Sequence, residues 1–102
     1  TGINNTALGH QSLYANTTGF DNTAIGEEAL RDNTTGEQST VVGQEAMQLN
    51  TTGSFNSAFG QAALSENISG NSNAAFGDNA LTSNTTGSNN TAFGYSSAIG
   101  NT

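Results

Sequence analysis

Asn16, Asn33, Asn50, Asn67 and Asn84 each open an Asn-x-Ser/Thr triplet, the acceptor pattern for N-linked sugar. Each follows the last by seventeen residues. Asn4 and Asn89 open two further triplets of the same kind. One reading of the column is a row of glycosylation sites. The other is structural: Asn tolerates left-handed backbone at turns, bonds its own chain locally, and in stacked copies joins amide to amide in a ladder. The fixed spacing favours the ladder, and Asn101 continues it. Sugar would then be an addition made in a host that has the machinery.

Thr is the next regular feature. Thr17-Thr18, Thr34-Thr35, Thr51-Thr52 and Thr85-Thr86 keep the same step. A flat Thr array orders water, so an ice-binding surface is one chemistry such a column offers. Adjacent strand residues point to opposite faces, however, so Thr-Thr supplies a single outward column rather than a pair. A solvated strand edge is the plainer reading.

Catalysis and metal binding find little material. His10 stands at a variable position, and no repeat supplies it with a partner. Glu27 and Glu28 are adjacent and should diverge on a strand, which leaves no fixed acid/base pair. The acids form no periodic column, and the Gly-Gly-x-Gly-x-Asp repeats of calcium-binding rolls are missing. No catalytic residue, cofactor site or metal site is therefore expected, and the chain reads as a non-enzyme. Tyr14, Phe20, Phe55 and Tyr95 stand at otherwise polar positions. They offer stacking surfaces for sugars, or packing at ends and subunit contacts.

All these positions belong to one sentence, T-G-x-x-N-T-A-Φ-G-x-x-A-L-x-x-N-T, with Φ a large apolar residue. Six copies fill the 102 residues. Gly9, Gly26, Gly43, Gly60, Gly77 and Gly94 mark one beat, and Gly2, Gly19, Gly36, Gly53, Gly70 and Gly87 another. A short period held without slippage is the signature of a solenoid, one repeat to each coil. The coils are 1–17, 18–34, 35–51, 52–68, 69–85 and 86–102, a single array over 1–102. Asn101-Thr102 would join Thr1-Gly2 in phase, and no Met starts the chain. We expect a window of a longer fibrous chain.

Helices do not fit a unit with two glycines and an Asn-Thr-Thr-Gly stretch, which leaves one or two turns at most. Short strands fit better, N-T-A-Φ-G as one and A-L-x-x-N-T as a second, with glycine at the corners. The expected fold is all-β, a parallel β-solenoid or β-roll of six 17-residue coils. Two columns carry the apolar bulk and are expected to fill its core. Position eight holds Leu8, Ile25, Val42, Phe59, Phe76 and Phe93; position thirteen holds Leu13, Leu30, Met47, Leu64 and Leu81, with Ala98 as the exception. The small residues at positions seven and twelve, such as Ala24 and Ala29, should face a close contact with another wall or another chain. So few large residues for two faces favour a homo-oligomer, a trimer or a filament.

Composition bounds the function. Hydrophobic residues make up 32% of the chain, against about 45–50% in ordinary globular domains. Charged residues are only 9%, unlike most disordered chains. Eight acids against Arg31 give a net charge of −7, with no basic stripe to displace counterions, so no nucleic-acid partner is expected. No apolar run reaches the roughly 18–20 residues of a membrane span, so this segment is not expected to insert in one. Without cysteine there is no disulfide, and stability must come from stacking and backbone ladders.

Asn22-Thr23-Ala24-Ile25-Gly26, followed by Glu27-Glu28-Ala29-Leu30, resembles the head repeats of trimeric autotransporter adhesins, with their S-V-A-I-G-like core. Asn56-Ser57-Ala58-Phe59-Gly60 and Asn90-Thr91-Ala92-Phe93-Gly94 match the same core, and Ser96-Ser97-Ala98-Ile99-Gly100 is closer still. The longer sentence is similar to arrays in tail-fibre-like and large surface proteins of bacteria and their viruses. The resemblance implies a left-handed roll three chains wide, displayed outside the cell or on a virion.

The expected function is a non-enzymatic fibre segment on an extracellular surface or virion appendage, spacing or displaying binding sites, with a cell-surface glycan or receptor as partner. The alternative is a ligand-binding solenoid that takes glycan or ice on a regular outer Asn/Thr face.

Overall fold

The computed structural model describes residues 2–100. Thr1, Asn101 and Thr102, and with them the last member of the Asn column, lie outside the described residues. Six three-residue strands form one parallel sheet in chain order: β1 Thr6–Leu8, β2 Thr23–Ile25, β3 Thr40–Val42, β4 Ser57–Phe59, β5 Ala74–Phe76 and β6 Thr91–Phe93. Every junction has the same register, so Ala24 lies beside Val41 and Val41 beside Ala58. The chain is a β-solenoid, measuring 34 × 22 × 16 Å along its principal axes.

Coil 35–51 shows how the backbone is satisfied. It donates forward from Thr40 to Asn56, Met47 to Ala63, Leu49 to Ser65 and Thr51 to Ile68, at 2.9–3.0 Å. It donates backward from Gln38 to Phe20, Gly43 to Ile25 and Glu45 to Glu27, at 2.8–2.9 Å. Hydrogen bonds thus run parallel to the rod axis around the whole coil, although each strand is only three residues long. Buried peptide groups need such partners, and here neighbouring coils supply them.

The second expected strand, A-L-x-x-N-T, does not form. In its place Ala46 N–H bonds back to Gly43, Gln48 to Glu45 and Asn50 to Met47, three successive four-residue turns. The first two turns carry positive φ at their third residues, Glu45 (59°) and Met47 (49°), as type II turns do. The turns place Ala46 and Met47, neighbours in sequence, both fully in the core. A strand would have sent them to opposite faces.

The core is narrow. Leu30, Met47, Leu64 and Leu81 stack in its centre, flanked by the position-seven residues Ala24, Val41, Ala58 and Ala75 and the position-twelve residues Ala29, Ala46, Ala63 and Ala80. Leu13, in the first coil, packs against this cluster while half-buried.

The expected place of position eight is corrected. Leu8 is 66% exposed and Phe93 67%, Ile25 is exposed, and Val42, Phe59 and Phe76 are half-buried on the outer surface. Strand alternation forces positions seven and eight to opposite sides. The interior already holds a Leu column, so the small side chain turns in and the large one turns out. The small-residue columns therefore face the coil's own opposite wall rather than another chain.

Glycine is required in both of its columns, for different reasons. Gly43 has φ of 143°, which L side chains rarely adopt. Gly53 is needed for closeness: a Cβ there would sit 2.5 Å from the Gly70 carbonyl oxygen of the next coil.

Candidate functional site

Two buried asparagine columns brace the corner around the second glycine beat. From Asn33 to Asn84, each position-sixteen amide spends both of its N–H groups. Asn50 Nδ2 donates to Asn33 Oδ1 at 2.8 Å and to the Gly53 carbonyl at 3.0 Å. Asn67 repeats this onto Asn50 and Gly70, and Asn84 onto Asn67 and Gly87. Asn33 donates likewise to Asn16 and Gly36. Asn33, Asn50, Asn67 and Asn84 are all 0% exposed. The nitrogen that would carry a sugar is thus sealed inside, whereas Asn4 and Asn89 are exposed.

A second column at position five was not singled out from the sequence. Asn22, Asn56 and Asn73 are buried, and their amides donate to the carbonyls of Gly36, Gly70 and Gly87 at 2.9 Å. Their side-chain oxygens accept the backbone N–H one coil on, as Asn56 does from Asn73. Each such glycine carbonyl therefore receives two amide donors. Its signal lay in the sequence: Asn5, Asn22, Asn56, Asn73 and Asn90 recur as regularly as position sixteen, broken only by Ser39.

The Thr columns are partly committed to the fold. Thr17, Thr34 and Thr51 each donate a hydroxyl to the backbone carbonyl of the residue one coil on, at 3.0–3.3 Å. Thr18, Thr35, Thr52 and Thr86 are exposed.

The candidate catalytic and sugar-stacking groups are not brought together. His10 is exposed. Glu27 accepts from Gln44 of the next coil at 3.0 Å, whereas Glu28 turns to Arg31 and Gln48. The hydrogen bond to Asp32, and after it that to Glu28, raise the Arg31 guanidinium above its ordinary pKa. Tyr14, Phe20, Phe55 and Tyr95 occupy four different columns, so they build no common platform. Among the described residues there is no pocket and no cluster of three or more acids and histidines able to hold a metal ion. Among the described residues no helix is long and apolar enough to cross a membrane.

What the fold does assemble is the outward face of the sheet. Position six contributes Thr6, Thr23, Thr40, Ser57, Ala74 and Thr91; position eight lies beside it. Phe59 and Phe76 stack with ring centroids 4.8 Å apart, and Phe76 and Phe93 at 4.7 Å. These spacings equal the separation of neighbouring strands, so the rings follow the backbone rungs one for one. No charged residue stands in either column.

Comparison with protein families, with curated proteins and with solved structures finds no match.

Proposed function

We propose that this chain is a non-enzymatic structural segment of a fibre, borne on an extracellular surface or a virion appendage, where it spaces or displays sites for a glycan or receptor. One observation carries the reading. At all five strand junctions the register advances by seventeen residues, and backbone bonds, Asn ladder and Leu column run along the same axis. Material continuous along one axis gives stiffness along it, and repetition gives multivalency. A catalyst instead needs unlike groups converging on a cavity.

Small-angle scattering of this chain beside a version with its six coils duplicated tests the reading. Length should grow by about 4.8 Å for each added coil, while the cross-section is unchanged. A cross-section that widens on duplication would mean that the coils pack side by side, and the rod would be lost. The alternative, binding through an outer Asn/Thr face, keeps only its Thr half, because both Asn columns turn inward.

A further inference from the structure

We infer that the outward sheet face, columns six and eight, is the surface on which a second copy of this chain packs. The inference rests on the fibre reading and names the contact within it.

Charge comes first. The eight acids, Arg31 and His10 all stand at positions three, four, ten, eleven, fourteen or fifteen. Two copies, each of net charge −7, repel when acid-bearing corners meet. The sheet face lets them approach with no ionisable group between them. Its position-six residues are small, so they leave a groove beside the larger position-eight side chains.

Pitch selects the occupant. Position eight is apolar on every rung, and its three Phe rings step along the face at 4.7–4.8 Å. A partner that fills each groove must repeat at that same interval over six rungs. Another copy does so without adjustment, whereas a globular surface or a helix does not share the step.

Area sets the strength. Six rungs about 4.8 Å apart on a face roughly 10 Å wide offer each copy about 300 Å², below the ~800 Å² per partner of a stable dimer. A six-coil segment should therefore pair weakly. Longer arrays should pair tightly, since every added coil adds the same increment.

The test is sedimentation equilibrium of the 102-residue chain over rising concentration, with scattering on the same samples. Mass should climb from 10.3 kDa as concentration nears about 1 mM, the range of a weak contact. The double variant Thr40→Lys, Thr91→Lys puts charge on the face while moving net charge toward zero. It should stay monomeric with unchanged melting. Phe76→Ser, which opens the aromatic stack without adding charge, is the second variant and should weaken association. Wild-type mass that stays at one copy throughout overturns the inference, and if the particle is still a rod the fibre reading survives. Association that persists in both folded variants places the contact elsewhere and also overturns it. So does a monomer that instead binds phosphatidylcholine vesicles through this face, since a lipid surface would then be the occupant. A particle that is not a rod removes the fibre reading itself.

Discussion

Asn67 donates its side-chain amide to the side-chain oxygen of Asn50 across a coil junction at 2.8 Å, and neither residue is exposed. Asn50 is both acceptor from Asn67 and donor to Asn33. Removing it leaves one N–H and two oxygens short of a partner. Each orphaned buried group costs about 1–3 kcal/mol. Asn50→Leu, which keeps the branched shape but offers no polar group, should therefore lower unfolding free energy by about 3 kcal/mol or more. Urea titration reads this directly, and a loss under about 1 kcal/mol would mean that the ladder contributes little.

The same geometry forbids sugar. Both Nδ2 hydrogens of Asn33, Asn50, Asn67 and Asn84 are spent inside the coil. Folded protein recovered from a glycosylating host should carry no glycan at these four residues. Any modification should map to Asn4 or Asn89. Glycopeptide mapping that finds sugar on Asn50 in folded material would contradict the ladder.

Ser39 is the one break in the position-five column. Its hydroxyl still accepts the Asn56 N–H at 3.1 Å, but the Gly53 carbonyl lacks the second donor that Gly36 and Gly70 receive. Ser39→Asn should restore that bond and stabilise the chain by about 1 kcal/mol. A raised urea midpoint with unchanged slope is the expected result. A lowered midpoint would show that this coil has no room for the amide.

Gly60 and Gly94 separate two costs of the same substitution. Both have positive φ, 132° and 113°. A Cβ on Gly60 would lie 2.6 Å from the Gly77 carbonyl carbon, while one on Gly94 meets nothing within 4 Å. Gly94→Ala should cost about 1–2 kcal/mol from backbone strain alone. Gly60→Ala adds the clash and should cost about 3 kcal/mol or more. Equal losses in thermal melts would show that packing between coils is not what selects glycine.

Ala62 holds a left-handed conformation, φ 58°, at a position where Asn79 stands one coil later. Ala has no local bond to offset that conformation, whereas Asn adopts it more readily. Ala62→Asn should stabilise by about 0.5–1 kcal/mol, again read by urea midpoint.

The solenoid was legible because glycine and asparagine keep one period through six coils, and only stacked coils use such regularity. The inward Leu30 and Met47 column was legible from bulk alone. The sense of the strand was not. Ala24 and Ile25 alternate in either orientation, and hydrophobicity argues for Ile25 inside. The decision falls to volume: turns deliver Ala29 and Leu30 to the interior together, which leaves room opposite them only for a small side chain. Those turns were hidden as well, because Glu28 and Leu30 hold positive φ without being Gly or Asn. Hydrogen bonds to the coils on either side fix that conformation, and a single repeat read alone does not contain them. The outward face of the sheet was hidden for the same reason. An outer apolar face is visible only once the inner one is known to be full.

Because each coil meets the next in the same strand register, every junction is built on one backbone plan. A duplication or deletion of seventeen residues joins surfaces that already fit. Unequal copying of the underlying DNA can therefore lengthen or shorten the rod in whole steps, with no refolding problem to solve at the seam. Length then changes in counted steps, while the side chains at the variable positions can change independently of it.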